Sequence, residues 1–423
     1  MRLAVVGICD TSIELVRCAV SSGHSILFAY DVHARGDQLR KLAPEVQLRS
    51  DWEGLLLGSL VDGAIVAGLP QGLEASEMRA EQLRKLTQAA VPLLVVHPAC
   101  ETMLGFEVEM IRRDVEAVIV PFSPDAYHPA VALLETWQLA GEESPLGAIE
   151  QLVFHRPLED RSRSSVLVQL ARDLSLLRPI LGRIRAISAT GPTAKHRDPY
   201  ISGPKTLPPL ANLHVHVTGE VPFPARWSVE IPATGDHSRV VLVGSRGRGV
   251  LTMPPAFADW KLELVTPAGN TAVDLPAIDP YHAALADFAK LALSREKVAA
   301  ETLTTGATWL TAVRDVEAAS AVDRSIERGR TIELLNEEIN EEESFKGVMA
   351  VGGCLLLMVA LGAVMLATIV EGLQLPLRNW AVWRYWPAYL LVPIAIFLIL
   401  QLLQLVIKRQ QPPSIADMID PKK

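Results

Sequence analysis

Several common protein classes are excluded by what this sequence lacks. Its four cysteines in 423 residues show neither metal-binding nor CxxC spacing, which is typical of a reducing compartment. A net charge of −8 predicts no nucleic-acid partner. The nucleophile motif GxSxG, the zinc motif HExxH and the Walker phosphate loop are absent. The opening MRLAVVGICD has no cationic region or cleavage site, and it is predicted to be a strand rather than a signal peptide.

Long apolar runs, by contrast, are present near the end of the chain. Residues 347–370 carry no charge, and residues 385–407 form a second run. Each run is long enough to cross a hydrocarbon core of roughly 30 Å. Tryptophans and tyrosines cluster where the second run begins, as they do at a membrane interface. We therefore expect a two-span transmembrane hairpin over 347–410, with the lipid bilayer as the partner of residues 347–407.

Basic residues predict the orientation of this hairpin. The connecting loop holds Arg378 and Arg384, whereas five lysines and arginines flank the outer ends. The bias favours a multi-pass protein of the cytoplasmic (inner) membrane, with the globular part and a tail at 411–423 in the cytoplasm. An acidic stalk at 334–346 precedes the first span. Its glutamates either hold the globular part away from anionic lipid or form an ordinary solvated helix face.

The remaining sequence divides at about residue 145. Over residues 1–144, short apolar runs alternate with helix-like segments, which is typical of α/β proteins with a Rossmann-like doubly wound parallel sheet. The runs are apolar throughout because both faces of such a sheet are covered. Residues 145–333 combine helix-like segments with several strands and turns. This second pattern predicts an α+β domain with a mostly antiparallel sheet, used for substrate binding or oligomerisation.

Four segments from both parts of the chain can be compared with known proteins. They are VDGAIVAGLPQ at 61–71, AAVPLLVVHPACETM at 89–103, PLGAIEQLVFHRP at 145–157 and LARDLSLLRPILGRIRAISATGP at 170–192. Their order and spacing resemble the Gfo/Idh/MocA family of oxidoreductases over roughly residues 1–333, and the membrane hairpin lies outside this resemblance. The resemblance implies a first domain that binds NAD or NADP and a second that binds a sugar or cyclitol.

A dinucleotide loop is implied at the end of the first strand, but its glycine pattern is incomplete. Gly7 stands at the first glycine position, whereas Cys9 and Ser12 occupy the second and third. A side chain at Cys9 would push a pyrophosphate away, because the glycine there allows close backbone contact. Asp10 is predicted as the N-cap of the following helix, where its carboxylate would fill the anion site. The loop is therefore predicted to be weakened for dinucleotides.

Two further positions complete the predicted cofactor site. Asp31 ends the second strand, 24 residues after Gly7, where the resemblance implies the acid that binds the ribose of NAD. The alternative is an ordinary turn residue at a strand end. Pro70, in the turn after the fourth strand, is the remaining cofactor-binding candidate. NAD is the expected cofactor if one binds.

The family's catalytic positions are replaced in this chain. His97 stands where the resemblance implies a lysine, and Gln169 and Asp173 stand where it implies an aspartate and a histidine. Gln169 and Asp173 share a helix face because they are four residues apart. His97 either carries a proton near neutral pH, oriented by Asp173, or is a polar residue at a strand end. Asp173 could equally form an ion pair with Arg172 or Arg178.

Other polar residues lead to weaker predictions. Arg156, Arg161 and Arg163 are expected in a solvated loop, with an anionic substrate as the alternative. His214 and His216 share one face of a strand. Two histidines are too few for a metal site, so none is predicted. The exposed face that carries them is a candidate homo-oligomer interface.

Two functions remain open from the sequence. One is a membrane-anchored oxidoreductase that transfers a hydride between NAD and a sugar- or cyclitol-like hydroxyl or carbonyl group. The other is a catalytically silent pseudo-oxidoreductase, tethered to the membrane as a ligand-binding or scaffold protein. The incomplete loop and the replaced catalytic residues favour the second, and the family resemblance favours the first.

Overall fold

The computed structural model divides the chain into two compact units, Met1–Asn336 and Glu337–Lys423. The described residues of the first unit are 1–32, 35–57, 60–69, 73–192, 209–210, 212–233, 235–293 and 307–334. In the second unit they are 358, 361–362, 364–369 and 372–373.

The first unit contains the helices α1 (Asp10–Ser21), α2 (Gly36–Leu42), α3 (Leu73–Gln88), α4 (Thr102–Asp114), α5 (Pro129–Leu139), α6 (Arg163–Leu181), α7 (Pro280–Leu293) and α8 (Trp309–Arg328). Its strands are β1 (Arg2–Val6), β2 (Ser25–Tyr30), β3 (Gln47–Arg49), β4 (Gly63–Val66), β5 (Leu93–Val96), β6 (Ile119–Phe122), β7 (Ile149–Pro157), β8 (Ala186–Thr190), β9 (His214–Thr218), β10 (Ala225–Glu230), β11 (Ser238–Gly244), β12 (Gly247–Met253), β13 (Lys261–Thr266), β14 (Gly269–Val273) and β15 (Ile332–Glu333).

The first sheet is a parallel, doubly wound sheet with the strand order β3-β2-β1-β4-β5-β6. Strands β4, β5 and β6 are buried along their whole length, since helices cover both faces of the sheet. The prediction of a Rossmann-like fold is confirmed. The order reverses between β1 and β4, so a crevice forms outside the carboxyl ends of these two strands.

The second sheet has nine strands in the order β14-β13-β12-β11-β7-β10-β9-β8-β15. Its β7–β10 pair is parallel, whereas the other described pairs are antiparallel, which confirms the predicted mostly antiparallel sheet. Helices α5, α6 and α8 pack on one face. On the other face β9 exposes His214, His216 and Thr218, which alternate with buried residues.

Helix α8 connects the cores of the two sheets. Trp309 and Val313, near its start, belong to the core beside the first sheet, and Trp309 Nε1 donates to the carbonyl of Gly105 on α4 at 3.0 Å. Val322 and Ile326, near its end, belong to the core of the second sheet. A single 20-residue helix therefore fixes the two layers relative to each other.

The predicted membrane hairpin falls in the second unit. Residues 364–369 are helical there. None of the described helices is both long and apolar enough to cross a bilayer. The second predicted span at 385–407 and the tail at 411–423 lie outside the described residues. Of the predicted stalk at 334–346, the described part is Leu334, which follows β15 directly.

Candidate functional site

An arginine from α3 fills the crevice at the end of the first strand. Arg79 is 2% exposed. Its Nη1 donates to the carbonyl of Val6 at 3.1 Å and to the carbonyl of Ala67 at 2.6 Å, which lie at the carboxyl ends of β1 and β4. Its Nε donates to Gln82 Oε1 at 3.0 Å. The guanidinium group thus lies at the point where the strand order reverses.

The predicted cofactor residues Gly7 and Asp31 both contact this arginine. Gly7 has a φ of +72°, and a Cβ atom built on it would overlap Nη2 of Arg79. Asp31 follows β2 with a φ of +56°, and its Oδ2 lies 3.6 Å from the same nitrogen. Burial lowers the pKa of Arg79, and the Asp31 carboxylate acts in the opposite direction. The structure therefore brings Gly7 and Asp31 together around a side chain of the protein itself.

The N-terminus of α1 differs from the prediction. Cys9, rather than Asp10, is the N-cap residue. The Cys9 amide donates to Ser12 Oγ at 2.8 Å, and the Ser12 hydroxyl donates to the Cys9 carbonyl at 2.9 Å. Asp10 is the first helical residue; its side chain is exposed and pairs with Arg35 at 2.6 Å. The predicted N-cap role of Asp10 is wrong because Cys9 already has the extended backbone of a cap. Pro70 lies outside the described residues.

His97 is buried at the end of β5. Its Nε2 lies 3.3 Å from the carbonyl oxygen of Ala171 on α6, and Arg172 donates to the His97 carbonyl at 3.4 Å. Burial lowers the pKa of His97 to about 3, so the imidazole is neutral at pH 7. A neutral imidazole must carry its proton on Nε2 to donate to this carbonyl. His97 is therefore a hydrogen-bonded core residue.

Asp173 is fully buried at the centre of a hydrogen-bonded cluster. Arg156 at the end of β7 binds both carboxylate oxygens through Nε and Nη2. Gln169 donates at 2.9 Å from one turn earlier on α6, and Trp227 Nε1 on β10 donates at 2.7 Å. The carboxylate raises the pKa of Arg156, although burial alone would lower it. Asp173 holds α6 against the sheet and does not orient His97.

Three predictions about arginines are corrected by this cluster. The partner of Asp173 is Arg156, whereas Arg178 pairs with Asp315 on α8. Arg156 is largely covered rather than solvated, with its side chain 11% exposed, because it shares the covered face of β7 with Phe154. Arg163 begins α6 and pairs with Asp323 on α8. The alternation of residues in LVFHRP could have revealed the inward direction of Arg156, since strand residues two apart face the same side.

A cavity of about 260 Å³ adjoins the outer side of this cluster. Asp125, which comes just after β6, lines it together with Arg156, and their charged groups are 3.9 Å apart. Ser238 at the start of β11 also lines it and accepts a 2.8 Å hydrogen bond from Arg156 Nη1. Burial raises the pKa of Asp125, and the guanidinium of Arg156 opposes this effect. The inner wall is therefore polar and charged.

Another part of the cavity lining is aromatic and apolar. Phe257 and Trp260 lie there with Met253, and their rings are 5.3 Å apart. The Trp260 indole donates to the carbonyl of Pro254 at 3.1 Å, which fixes its plane. Behind it, the ring of His128 stacks at 4.4 Å, and burial lowers the pKa of His128 to about 4.

Sequence reasoning missed Asp125, Ser238 and Trp260 as site residues. They come from three distant segments that meet only when the second sheet docks beside β6. His214 and His216, which were singled out, lie on the open face of β9. Within the described ranges, no group of three or more histidine, cysteine, aspartate or glutamate residues is placed to hold a metal ion.

Solved structures that are similar to this chain in fold include several oxidoreductases. An aldose-aldose oxidoreductase from Caulobacter crescentus has a TM-score of 0.61 and 11% identity, over 79% of this chain and 99% of its own. The UDP-N-acetylglucosamine 3-dehydrogenase of Acidithiobacillus ferrooxidans has a TM-score of 0.59 and 18% identity, over 78% and 98%. An Agrobacterium radiobacter oxidoreductase solved with NAD+, L-tartaric acid and magnesium has a TM-score of 0.59 and 12% identity, over 79% and 98%.

These similarities establish the fold of this chain. Its chemistry has to be inferred from its own residues. No protein-family model matches the sequence, and no curated protein matches it.

Proposed function

We propose that this chain is a membrane-tethered homologue of sugar and cyclitol oxidoreductases that binds a small polyhydroxylated molecule without transferring a hydride. The ligand would occupy the cavity between Arg156 and Trp260. The observation that carries the proposal is the state of the two catalytic candidates. His97 is neutral and buried, and Asp173 is enclosed by three donor residues.

The lining of the cavity supports a polyhydroxylated ligand. The carboxylate and guanidinium groups of the lining can bond hydroxyl groups, while the indole of Trp260 can pack against the C–H face of a ring. The volume of about 260 Å³ lies below the roughly 300–1,000 Å³ of pockets for drug-sized molecules. A single sugar or cyclitol ring therefore fits better than a nucleotide sugar.

The absence of hydride transfer follows from proton handling. Oxidation of a hydroxyl group needs a residue that accepts its proton in the transition state. His97 Nε2 is directed at a backbone carbonyl, and a pKa of about 3 makes it a weak base. Asp173 already accepts four hydrogen bonds from Arg156, Gln169 and Trp227. Neither group can reach a substrate without leaving these partners.

Membrane tethering is the second element of the proposal. Large apolar side chains in the described helical part of the second unit are exposed, among them Leu361, Met365 and Leu366. Exposed apolar surface of this kind is typical of a membrane or protein contact. Together with the length of the apolar runs at 347–370 and 385–407, it supports insertion of a two-span hairpin with the globular part in the cytoplasm.

A second candidate function is NAD-dependent oxidation or reduction of the same ligand class. It is favoured by the fold, because one solved neighbour contains NAD+. It would require His97 or another group to act as the proton carrier. This candidate predicts formation of NADH when a substrate polyol and NAD+ are supplied together.

Ligand binding by the full chain in detergent micelles tests the proposal. Calorimetric titration with myo-inositol, D-glucose and L-tartrate is expected to give saturable binding of at least one of them. Asp125→Asn and Trp260→Leu should each weaken the affinity by about tenfold, because one removes the carboxylate charge from the lining of the cavity and the other removes the indole. Glu107→Gln, at an exposed ion pair on α4, is the matched control and should leave the affinity unchanged.

Two results would contradict the proposal. One is binding that both cavity variants leave unchanged. The other is NADH formation with NAD+ and any of the three probes, which would favour the second candidate.

A further inference from the structure

We infer that Arg79 takes the place of a dinucleotide at the carboxyl ends of β1 and β4 and closes that crevice to NAD and NADP. The inference concerns a different crevice from the cavity at Arg156, and it goes beyond the proposed ligand binding. It rests on the position of the guanidinium group, on its partners and on the state of the α1 N-terminus.

The position of Arg79 coincides with the place where a doubly wound sheet receives its ligand. Such ligands bind in the crevice outside the carboxyl ends of the strands, where the strand order reverses. In this sheet the reversal lies between β1 and β4. Arg79 bonds the carbonyls of Val6 and Ala67 at the ends of these two strands. A cofactor could approach Gly7 only by displacing the guanidinium group that rests against it.

The partners of Arg79 leave none of its nitrogens for an anion. Nη1 has two carbonyl acceptors, Nε bonds Gln82, and Nη2 lies between Gly7 and the carboxylate of Asp31. The side chain is only 3% exposed. An arginine that binds phosphate presents its planar fork to the ligand. Arg79 presents its fork to the protein and is therefore a filler of the crevice.

The groups that would bind a dinucleotide are used internally as well. Asp31, the candidate for the ribose hydroxyl, faces Arg79. The amide of Cys9 donates to Ser12, so it is not available to a pyrophosphate. The guanidinium group of Arg79 thus fills the space, and both the Cys9 amide and the Asp31 carboxylate interact with other groups of the protein. The residues present do not fit a dinucleotide.

Titration of the full chain in detergent with NAD+ and NADPH tests the inference directly. The wild-type protein is expected to show no saturable binding below about 1 mM. Micromolar binding of either nucleotide by the wild type would overturn the inference whatever the variants do. The polyol titration at the other cavity is a separate measurement, so failure of one proposal is distinguishable from failure of the other.

Two variants separate the arginine from the incomplete glycine loop. Cys9→Gly restores the second glycine of the loop and should still bind no nucleotide, because Arg79 remains. Cys9→Gly combined with Arg79→Ala should gain at least about tenfold in NAD+ affinity, because the guanidinium group no longer occupies the crevice. The matched control combines Cys9→Gly with Arg84→Ala, a substitution at an exposed position on the same helix. This control should show no gain in NAD+ affinity.

The variants can also contradict the inference. Tight binding by Cys9→Gly alone would assign the block to the cysteine. A folded double variant, judged by its thermal transition, that gains nothing would show that Arg79 is not the block. If Arg79→Ala does not fold, Arg79→Met keeps the side-chain stem and takes its place in the double variant, with the same expected gain.

Discussion

The two crevices of this protein each contain a buried arginine, and the two arginines have opposite effects. Arg79 is held mainly by neutral acceptors, with one carboxylate at 3.6 Å, and it fills its crevice. Arg156 is held by both oxygens of Asp173, and its remaining surface helps to line an open cavity. Every guanidinium nitrogen of both arginines has a partner within the protein, so the two side chains differ in exposure, at 3% for Arg79 and 11% for Arg156. What distinguishes Arg156 is the cavity beside it, which its side chain lines.

The two arginines also differ in how much stability should be lost when the carboxylate beside each one is removed. A buried ion pair is costly to break, because one charge then stays in the interior without a partner. Asp173 is completely buried, whereas the Asp31 side chain keeps 14% of its exposure and lies farther from its arginine. We therefore expect substitutions around Asp173 to cost more than those around Asp31.

The largest effect is expected for Asp173→Ala. The change leaves Arg156 buried without its carboxylate and removes the acceptor of the Trp227 indole. The free energy of unfolding should fall by about 3–5 kcal/mol, measured by urea unfolding followed through tryptophan fluorescence. Glu107→Ala breaks an exposed bidentate pair with Arg84 and should cost at most about 1 kcal/mol. Equal losses of unfolding free energy in Asp173→Ala and Glu107→Ala would contradict the expectation that the buried ion pair costs more to break than the exposed one.

A smaller effect is expected for Gly7→Ala. Alanine at a φ of +72° is strained by about 1–2 kcal/mol, and its Cβ atom would also overlap Arg79. The total loss should be about 2–4 kcal/mol in the wild type and should shrink in an Arg79→Ala background, by a coupling of about 0.5–3 kcal/mol. Gly23→Ala is the control, because Gly23 has a φ of +80° and open space around its Cβ position. If Gly7→Ala lowers the free energy of unfolding equally in both backgrounds, Arg79 does not limit the space at Gly7.

The sequence predicts the framework of this molecule better than its sites. Alternation of apolar runs and helices predicts a parallel sheet, because each run must be buried on both faces. The strand order β3-β2-β1-β4-β5-β6 is seen only in the structure, since the same alternation allows other doubly wound orders. A turn at Gly7 directly after the first strand is predicted and present, whereas the arginine that contacts Gly7 is not predicted. Arg79 lies 72 residues farther along the chain, in a helix whose sequence reads as an ordinary mixture of charged and apolar residues.

The site residues illustrate the same limit. The Arg156–Asp173 pair depends on α6 packing across β7, a contact that no local periodicity encodes. The sequence leaves two interpretations of His97 open, a proton carrier near neutral pH or a polar residue at a strand end, and burial under α6 decides its protonation. Local sequence determines which residues share a face. The tertiary docking of distant segments determines which of them stay accessible.

A moderate, pH-dependent effect is expected at His97. Its pKa is about 3 in the folded protein and about 6.5 unfolded, so acidification protonates the unfolded chain first. Stability attributable to this residue is complete above pH 6.5 and is lost as the pH falls toward 3. At pH 5 the loss is about 2 kcal/mol relative to pH 7.5.

His97→Gln should therefore lose less stability than the wild type between pH 7.5 and pH 5. Glutamine can still donate to the Ala171 carbonyl, but it does not titrate. The midpoint of urea unfolding at each pH provides the measurement. His216→Gln, on the open face of β9, should follow the wild-type profile. Parallel profiles for the wild type and His97→Gln would mean that the imidazole is not buried in its neutral form.

The smallest effect is expected for Asp31→Asn, which sharpens the comparison with Asp173. Asparagine tolerates the φ of +56° found at this position, so the change removes the charge and leaves the backbone unstrained. Arg79 keeps its bonds to Val6, Ala67 and Gln82, and the loss should be only about 1 kcal/mol. Asp31→Ala should cost about 1 kcal/mol more, because alanine is less tolerant of a positive φ. If Asp31→Asn instead destabilised the protein as much as Asp173→Ala, the arginine at the first sheet would depend on its carboxylate, and the neutral carbonyls at the strand ends would not suffice to hold it in the crevice.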